Sequence, residues 1–262
     1  MFGWLGTPPD PILFHVGSIS VRWYGAILAT ALLLGVLLAQ HLAKRVGLKP
    51  EKVTDLAFFA TVAALIGARL VHVLNDWGYY SQHHLEIAEV WHGGLAFHGV
   101  LFGGVLALWL FSRWQKIAPL LLLDVALPAL VLGQVIGRWG NWVNQELYGR
   151  PTTGPWALAI APEHRVVGYE AFTTFHPLFL YESFGNLIIL VLLLVLWRWP
   201  ARRRGDIAAA YLILSPALRF GLDSLRLNQP MVGPITNAQV FSLLLVVAGL
   251  VLLFTRRRRP VH

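Results

Sequence analysis

Long apolar runs dominate the chain, separated by short polar and basic clusters. Runs at about 21–41, 56–74, 94–112, 118–136, 177–198, 207–225 and 238–255 each approach the roughly 20 apolar residues that cross a hydrocarbon layer. Within lipid no water is available to the backbone, so each run must close its own hydrogen bonds. That selects helices over open strands, and the Leu, Val and Ala content of the runs agrees. The pattern predicts an all-α integral membrane protein of about seven transmembrane helices, a single polytopic membrane domain over 1–262 with little chain left for a soluble domain.

Composition supports lipid as the solvent. The 262 residues are 56% hydrophobic and only 13% charged, and the mean hydropathy is +0.61, which excludes an ordinary soluble domain. The formal net charge of +8 raises the question of nucleic acid, and the placement of the basic residues answers it. Lys44, Arg45, Lys49 and Lys52 follow the first run, Arg113 and Lys116 the third, Arg198 and Arg202 to Arg204 the fifth, and Arg256 to Arg259 the seventh. These are alternate loops. The intervening loop Asn75–Gly93 carries Asp76, Glu86 and Glu89 and is poor in basic residues. The positive-inside rule then puts the N-terminus outside and the C-terminus in the cytoplasm. The expected partner is a lipid bilayer, with no nucleic acid, and the basic tail is a membrane-surface anchor.

The N-terminus has no basic region before an apolar core and no small-residue cleavage site, so the first run is expected to be retained rather than removed as a signal peptide. The chain has no cysteine, which excludes disulfides, thiolate metal sites and a cysteine nucleophile of its own.

Function must then lie in the polar residues kept inside the apolar runs. An ionisable side chain at the centre of a span costs about 2.5–3.5 kcal/mol, so each needs a partner or a purpose. Arg69, His72 and Asn75 share one helical face near the outer end of the second run, and Arg219, Asp223 and Arg226 do the same in the sixth. An ion pair or snorkelling accounts for Asp223 with either arginine, yet two arginines leave a positive excess. The outer segment 137–176 opens with GRWGNWVNQELYGR. If its first turns are helical, Arg138, Asn141 and either Asn144 or Gln145 line one face, with Tyr148 further on. Such a donor-rich face at headgroup depth suits an anionic headgroup, because a guanidinium fork can clamp a phosphate bidentately. Trp139 and Trp142 read as members of an interfacial aromatic belt. In the third run, His98 stands between glycines in Gly94-Leu95-Ala96-Phe97-His98-Gly99. Two readings of it stand at this point, a packing histidine and a general base near neutral pH.

The stretch Gly137–Gly149 resembles the signature GRxGNFxNxELYG of the prolipoprotein diacylglyceryl transferase family. Further blocks resemble it in the family's order: Arg22-Trp23-Tyr24-Gly25, Gly67-Ala68-Arg69, Gly94 to Gly99, His176-Pro177 to Tyr181-Glu182, and Arg219 to Arg226. The resemblance covers nearly the whole chain. It implies a multi-pass enzyme of the bacterial inner membrane, with its active site near the extracytoplasmic leaflet and no cofactor or metal. The implied reaction moves diacylglycerol from phosphatidylglycerol to the lipobox cysteine thiol in the signal peptide of a prolipoprotein, releasing glycerol phosphate. The implied catalytic residues are His98, Arg138 and Arg219. Arg138 also belongs to the implied substrate-binding set, with Tyr24, Asn141, Glu146, Arg69, Glu182 and Arg226.

The chain departs from the family's pattern in three places. Ser215 stands where a tyrosine is common four residues before Arg219, so no role for a tyrosine there carries over. Trp142 replaces a phenylalanine, and Asn228-Gln229-Pro230 replaces an acidic stretch. Other classes fit less well. A transporter should show inverted repeats or paired broken spans, and neither is found. A zinc protease should show HExxH, whereas His83-His84-Leu85-Glu86 has the wrong spacing; metal binding by His83, His84 and His92 is the residual form of that reading. A binding-only scaffold does not explain arginines, a histidine and carboxylates gathered toward one interface.

Overall fold

A computed structural model describes residues 8–17 and 19–257. The tail residues Arg258 and Arg259, and residues 1–7 at the N-terminus, lie outside the described residues, as does the side chain of His92. A hairpin of β1 (Ile12–Val16) and β2 (Ile19–Arg22) leads into the helices. These are α1 (Trp23–Arg45), α2 (Pro50–Asn75), the single turn α3 (Trp77–Tyr80), α4 (Phe97–Gln115), α5 (Pro119–Val143), α6 (Leu178–Trp197), α7 (Asp206–Asp223) and α8 (Asn237–Arg257). Two short antiparallel pairs, β3 (Leu158–Ala159) with β4 (Thr174–Phe175) and β5 (Met231–Val232) with β6 (Ile235–Thr236), pin the loops before α6 and α8.

Among the described residues six helices are long and apolar enough to cross a membrane: α1, α2, α4, α5, α6 and α8. The chain is a mostly helical, multi-pass membrane protein. The run expected at 207–225 forms α7, which at 18 residues is shorter than these six and carries Asp206, Arg219 and Asp223 and an internal Pro216. The helices leave large apolar side chains uncovered: Ile66 is 62% exposed, Phe102 70% and Leu244 62%. In water such surface would drive association, whereas hydrocarbon receives it without cost.

The described chain forms two compact units, with boundaries inside α1 and α5. The unit Ala39–Val125 is built on α2 and α4, which meet backbone to backbone. A Cβ at Gly99 would overlap the carbonyl oxygen of Gly67, and one at Gly103 would overlap that of Ala63. Small residues at such a crossing supply the van der Waals contact that replaces the hydrophobic effect between helices in lipid. Toward the far end of the pair, Leu56, Phe111 and Leu122 form a small core, and Lys52 Nζ donates to Gln115 Oε1 at 2.8 Å.

The other unit holds the chain through Leu38 and everything from Ala126 onward. Ser183 Oγ on α6 donates to the Val135 carbonyl on α5 at 2.8 Å, and α7 packs against both α6 and α8. After α5 the chain leaves the helix through Gln145 and Leu147, both at positive φ (54° and 54°). It then folds over a second core of Tyr148, Leu158, Ile160, Phe175, Phe179 and Leu227. Tyr148 holds this cap together. Its hydroxyl donates to the His164 carbonyl at 2.9 Å and accepts the Val166 N–H at 2.7 Å, while burial pushes the phenol above its ordinary pKa. Tyr148→Phe leaves both backbone groups without this partner. It is expected to destabilise the protein by about 1–3 kcal/mol, seen as a lowered thermal unfolding midpoint in detergent.

Candidate active site

The signature GRWGN occupies the last turns of α5, which runs on to Val143, so Arg138 and Asn141 lie one turn apart on the same helix. Gly140 has a spatial reason: a Cβ there would lie 2.6 Å from Cδ2 of the Tyr24 ring, so the glycine lets that ring seat against the α5 backbone. Arg138 Nη1 reaches Asn141 Oδ1 at 3.4 Å. Asn141 Nδ2 donates to Glu146 Oε1 at 2.9 Å, and Asn144 Nδ2 reaches the same oxygen at 3.3 Å. The two sequence alternatives for the third face position separate here. Asn144 turns to Glu146, while Gln145 Oε1 accepts the Ala161 N–H at 2.8 Å within the cap. Tyr148 is likewise drawn into the cap core rather than onto the donor-rich face, because the chain has left the helix before it.

Glu182, on the first turns of α6 and only 5% exposed, is the hub of the charged cluster. Its Oε2 lies 2.5 Å from Arg138 Nη2, and its Oε1 lies 2.5 Å from Arg226 Nη2 and 3.8 Å from Arg219 Nη1. Arg219 Nη2 also lies 3.8 Å from Oδ1 of Asp223, one helical turn on. Asp223 is itself buried, and Thr236 Oγ1 donates to its Oδ2. Three guanidinium groups thus face two carboxylates in direct contact, with a third carboxylate, Glu146, joined to Arg138 through Asn141. The positive charge open to a ligand lies on Arg138 and Arg219, whose side chains are 27% and 35% exposed, whereas Arg226 is nearly buried (8%). Two buried atoms, Asp223 Oδ1 and Arg226 Nε, have no hydrogen-bond partner among the described residues.

Backbone pairing sets Arg226 in place. The chain at Gly149 forms an antiparallel bridge with Arg226, Arg150 N–H donates to the Leu225 carbonyl at 2.8 Å, and Gly149 N–H donates to the His176 carbonyl at 2.9 Å. The last glycine of the signature therefore locks the Arg226 segment beside the start of α6.

Seven of the expected site residues share one unit: Tyr24, Arg138, Asn141, Glu146, Glu182, Arg219 and Arg226. Arg69 and His98 belong to the other. His98 is the second residue of α4 and is exposed, with the Phe97 ring edge-on at 6.2 Å. Arg69 is buried and hydrogen-bonds backbone carbonyls of its own unit. Among the described residues no group of three or more His, Cys, Asp or Glu side chains could hold a metal ion. Thr236 escaped the sequence reading. A lone threonine in a two-residue strand gives no signal, and only the fold brings it to Asp223.

The fold and this charge cluster define the protein as a polytopic membrane protein with an arginine-rich, partly open polar site. Its sequence places it more narrowly. The family profile described as prolipoprotein diacylglyceryl transferase matches residues 11–255, and the chain belongs to that family. It is 43% identical over 245 residues to a protein of Acaryochloris marina, covering 93% of this chain and 89% of that one. It is 41% identical over 262 residues to one of Trichormus variabilis, covering 97% and 93%. It is 42% identical over 258 residues to one of Gloeobacter violaceus, covering 98% and 96%. All three relatives are named phosphatidylglycerol–prolipoprotein diacylglyceryl transferase.

Proposed function

We propose that this protein transfers the diacylglyceryl group of phosphatidylglycerol to the lipobox cysteine of a prolipoprotein signal peptide, the first step of lipoprotein lipidation. The observation that carries the reading is the cluster of three arginines about Glu182, two of them partly exposed, in a chain that belongs to the transferase family.

The chemistry asks for two things. The thiol must lose its proton, because the thiolate is the nucleophile. That proton goes to His98, or to a water or carboxylate that it orients, histidine being the side chain that most often serves as a general base. The thiolate sulfur then attacks C3 of the diacylglycerol moiety, a carbon–sulfur bond forms, and the carbon–oxygen bond to phosphate breaks. Negative charge gathers on the departing glycerol phosphate. Arg138 and Arg219, the more exposed members of the cluster, stabilise that charge, and Glu182 holds their guanidinium planes in advance of the reaction. Arg226 braces the carboxylate from the buried side. Tyr24, Asn141 and Glu146 orient the headgroup, with the Asn141 amide tied between Arg138 and Glu146. The protein supplies no thiol of its own, which fits a reaction whose nucleophile arrives on the peptide.

The site lies near the extracytoplasmic leaflet of the bacterial inner membrane, with the N-terminus outside and the C-terminus in the cytoplasm. The alternation of basic loops supports this orientation.

Purified protein in phosphatidylglycerol vesicles, given a lipobox peptide, is expected to yield a diacylglyceryl thioether detected by mass spectrometry. Arg138→Ala removes one donor to the leaving group and is expected to lower the rate by about 100- to 1,000-fold. A folded wild type that binds phosphatidylglycerol yet makes no thioether would turn the reading toward lipid binding or transport.

A further inference from the structure

Arg69 was expected among the substrate-binding residues, and its geometry assigns it another task. The side chain sits on α2, is 7% exposed, and lies under the Tyr80 ring, with its guanidinium carbon 5.2 Å from the ring centroid. Nε donates to the Ile87 carbonyl at 2.8 Å. Nη1 donates to the Gly93 carbonyl at 2.8 Å and to that of Gly94 at 3.2 Å. Nη2 donates to the Glu86 carbonyl. Four of the roughly five N–H donors of a guanidinium are thus taken by main-chain oxygens. A group in this state has no fork left with which to grip a phosphate.

The four carbonyls come from two places in the loop that joins α2 to α4, the turn at 86–87 and the glycine pair at 93–94. Both glycines have positive φ, 88° and 69°. At Gly94 there is no room for a side chain either, since a Cβ would lie 2.7 Å from Arg69 Nη1 and 2.5 Å from His72 Nε2. The loop then returns to α2, where Ala96 N–H donates to the Ala68 carbonyl at 3.0 Å. The next residue, Phe97, starts α4, and His98 follows it. The guanidinium therefore ties the middle of the loop, at 86–87, and its last stretch, at 93–94, to α2, and Gly94 lies four residues before His98.

We infer that Arg69 is a positioning residue: its guanidinium clamps the loop carbonyls of Glu86, Ile87, Gly93 and Gly94 and thereby fixes where His98 stands, rather than binding the lipid phosphate. The inference deepens the function proposed above and rests on the part given there to His98. It also accounts for an arginine at this place. A lysine keeps the charge but, with a single nitrogen at its tip, does not span both sets of carbonyls.

The test uses the full chain in phosphatidylglycerol vesicles with a lipobox peptide, comparing wild type, Arg69→Lys, His98→Asn and the double variant. Arg69→Lys is expected to lower kcat about a hundredfold, the effect of a small displacement of a reacting group, while the KM for phosphatidylglycerol stays unchanged. In the His98→Asn background Arg69→Lys is expected to cause no further loss, because both substitutions then act on one step. A raised KM with unchanged kcat would show that Arg69 binds the lipid and overturn the inference. Losses that multiply would overturn it as well, since Arg69 would be acting through something other than His98.

If Arg69→Lys does not fold, Gly93→Ala takes its place. A Cβ there meets nothing within 4 Å, so only the φ of 88° is disturbed and the carbonyl held by Nη1 is turned. It is expected to show the same fall in kcat at unchanged KM, and an unaltered kcat contradicts the clamp. Thioether formation by the wild type keeps the outcome separate from the transferase reading. No product at all refutes that reading, and full activity of His98→Asn removes the proton-accepting role and the clamp's purpose together.

Discussion

Glu182→Gln is expected to destabilise the protein by about 3–5 kcal/mol, the cost of breaking a buried charge pair from one side. The side chain keeps its volume, so packing is preserved and the loss is electrostatic. Arg226 sits on the buried side of this carboxylate and Arg138 holds its other oxygen, both at 2.5 Å. With an amide in its place, one oxygen and two new donors face three guanidinium groups, and of the carboxylates only Asp223 still touches one of them directly. A lowered unfolding midpoint in detergent checks the first part. The second check is a cycle with Arg226→Gln. Once Glu182 is neutral, removing the buried Arg226 relieves an unpaired charge. The pair of substitutions is therefore expected to cost less than the sum of the two alone. Transfer activity is expected to fall with Glu182→Gln even at temperatures where the protein stays folded, because Arg138 and Arg219 lose the group that orients them.

Gly149→Ala is expected to have the second largest effect, for steric reasons. An added Cβ lands 2.9 Å from His176 Cβ, 2.9 Å from the Leu225 carbonyl oxygen and 3.1 Å from Leu178 Cγ. One neighbour is main chain and another is the first atom of a side chain, so neither swings aside cheaply. Overpacking of this kind costs about 1–3 kcal/mol. It also pushes apart the bridge from Gly149 to Arg226, and a displacement near 1 Å at the charge cluster is worth about a hundredfold in rate. Gly104→Ala is the control. A Cβ there meets nothing within 4 Å, and both stability and transfer are expected to stay as in the wild type.

The helices were legible in the sequence because apolar runs of span length are a composition signal that needs no knowledge of tertiary contacts. Helix ends were less so. The run expected to stop at 136 continues to Val143, and of the two glycines in this extension only Gly140 marks a close approach, to the Tyr24 ring. The two-residue strands β3 to β6 had no pattern to betray them, being too short for an alternation to register.

The candidate site was legible as a set of residues but not as a circuit. Arg138, Arg219 and Arg226 stand out because charge in an apolar chain is costly. That they meet on Glu182 depends on α5, α6 and the end of α7 arriving together, which no spacing in the sequence encodes. Arg69 shows the opposite case. The family resemblance put it with the substrate-binding residues, whereas the partners of its guanidinium are backbone carbonyls, which are the same for every residue and leave no trace in a sequence.

The central claim is that the sulfur attacks carbon and that glycerol phosphate leaves toward Arg138 and Arg219. The most direct measurement uses phosphatidylglycerol carrying oxygen-18 at the atom bridging C3 of the diacylglycerol moiety and phosphorus. After reaction with a lipobox peptide, mass spectrometry follows the label. The account predicts a thioether peptide without label and a glycerol phosphate that retains it, because the carbon–oxygen bond breaks. Label recovered in free diacylglycerol, with no thioether on the peptide, would mean cleavage at phosphorus and would contradict the account.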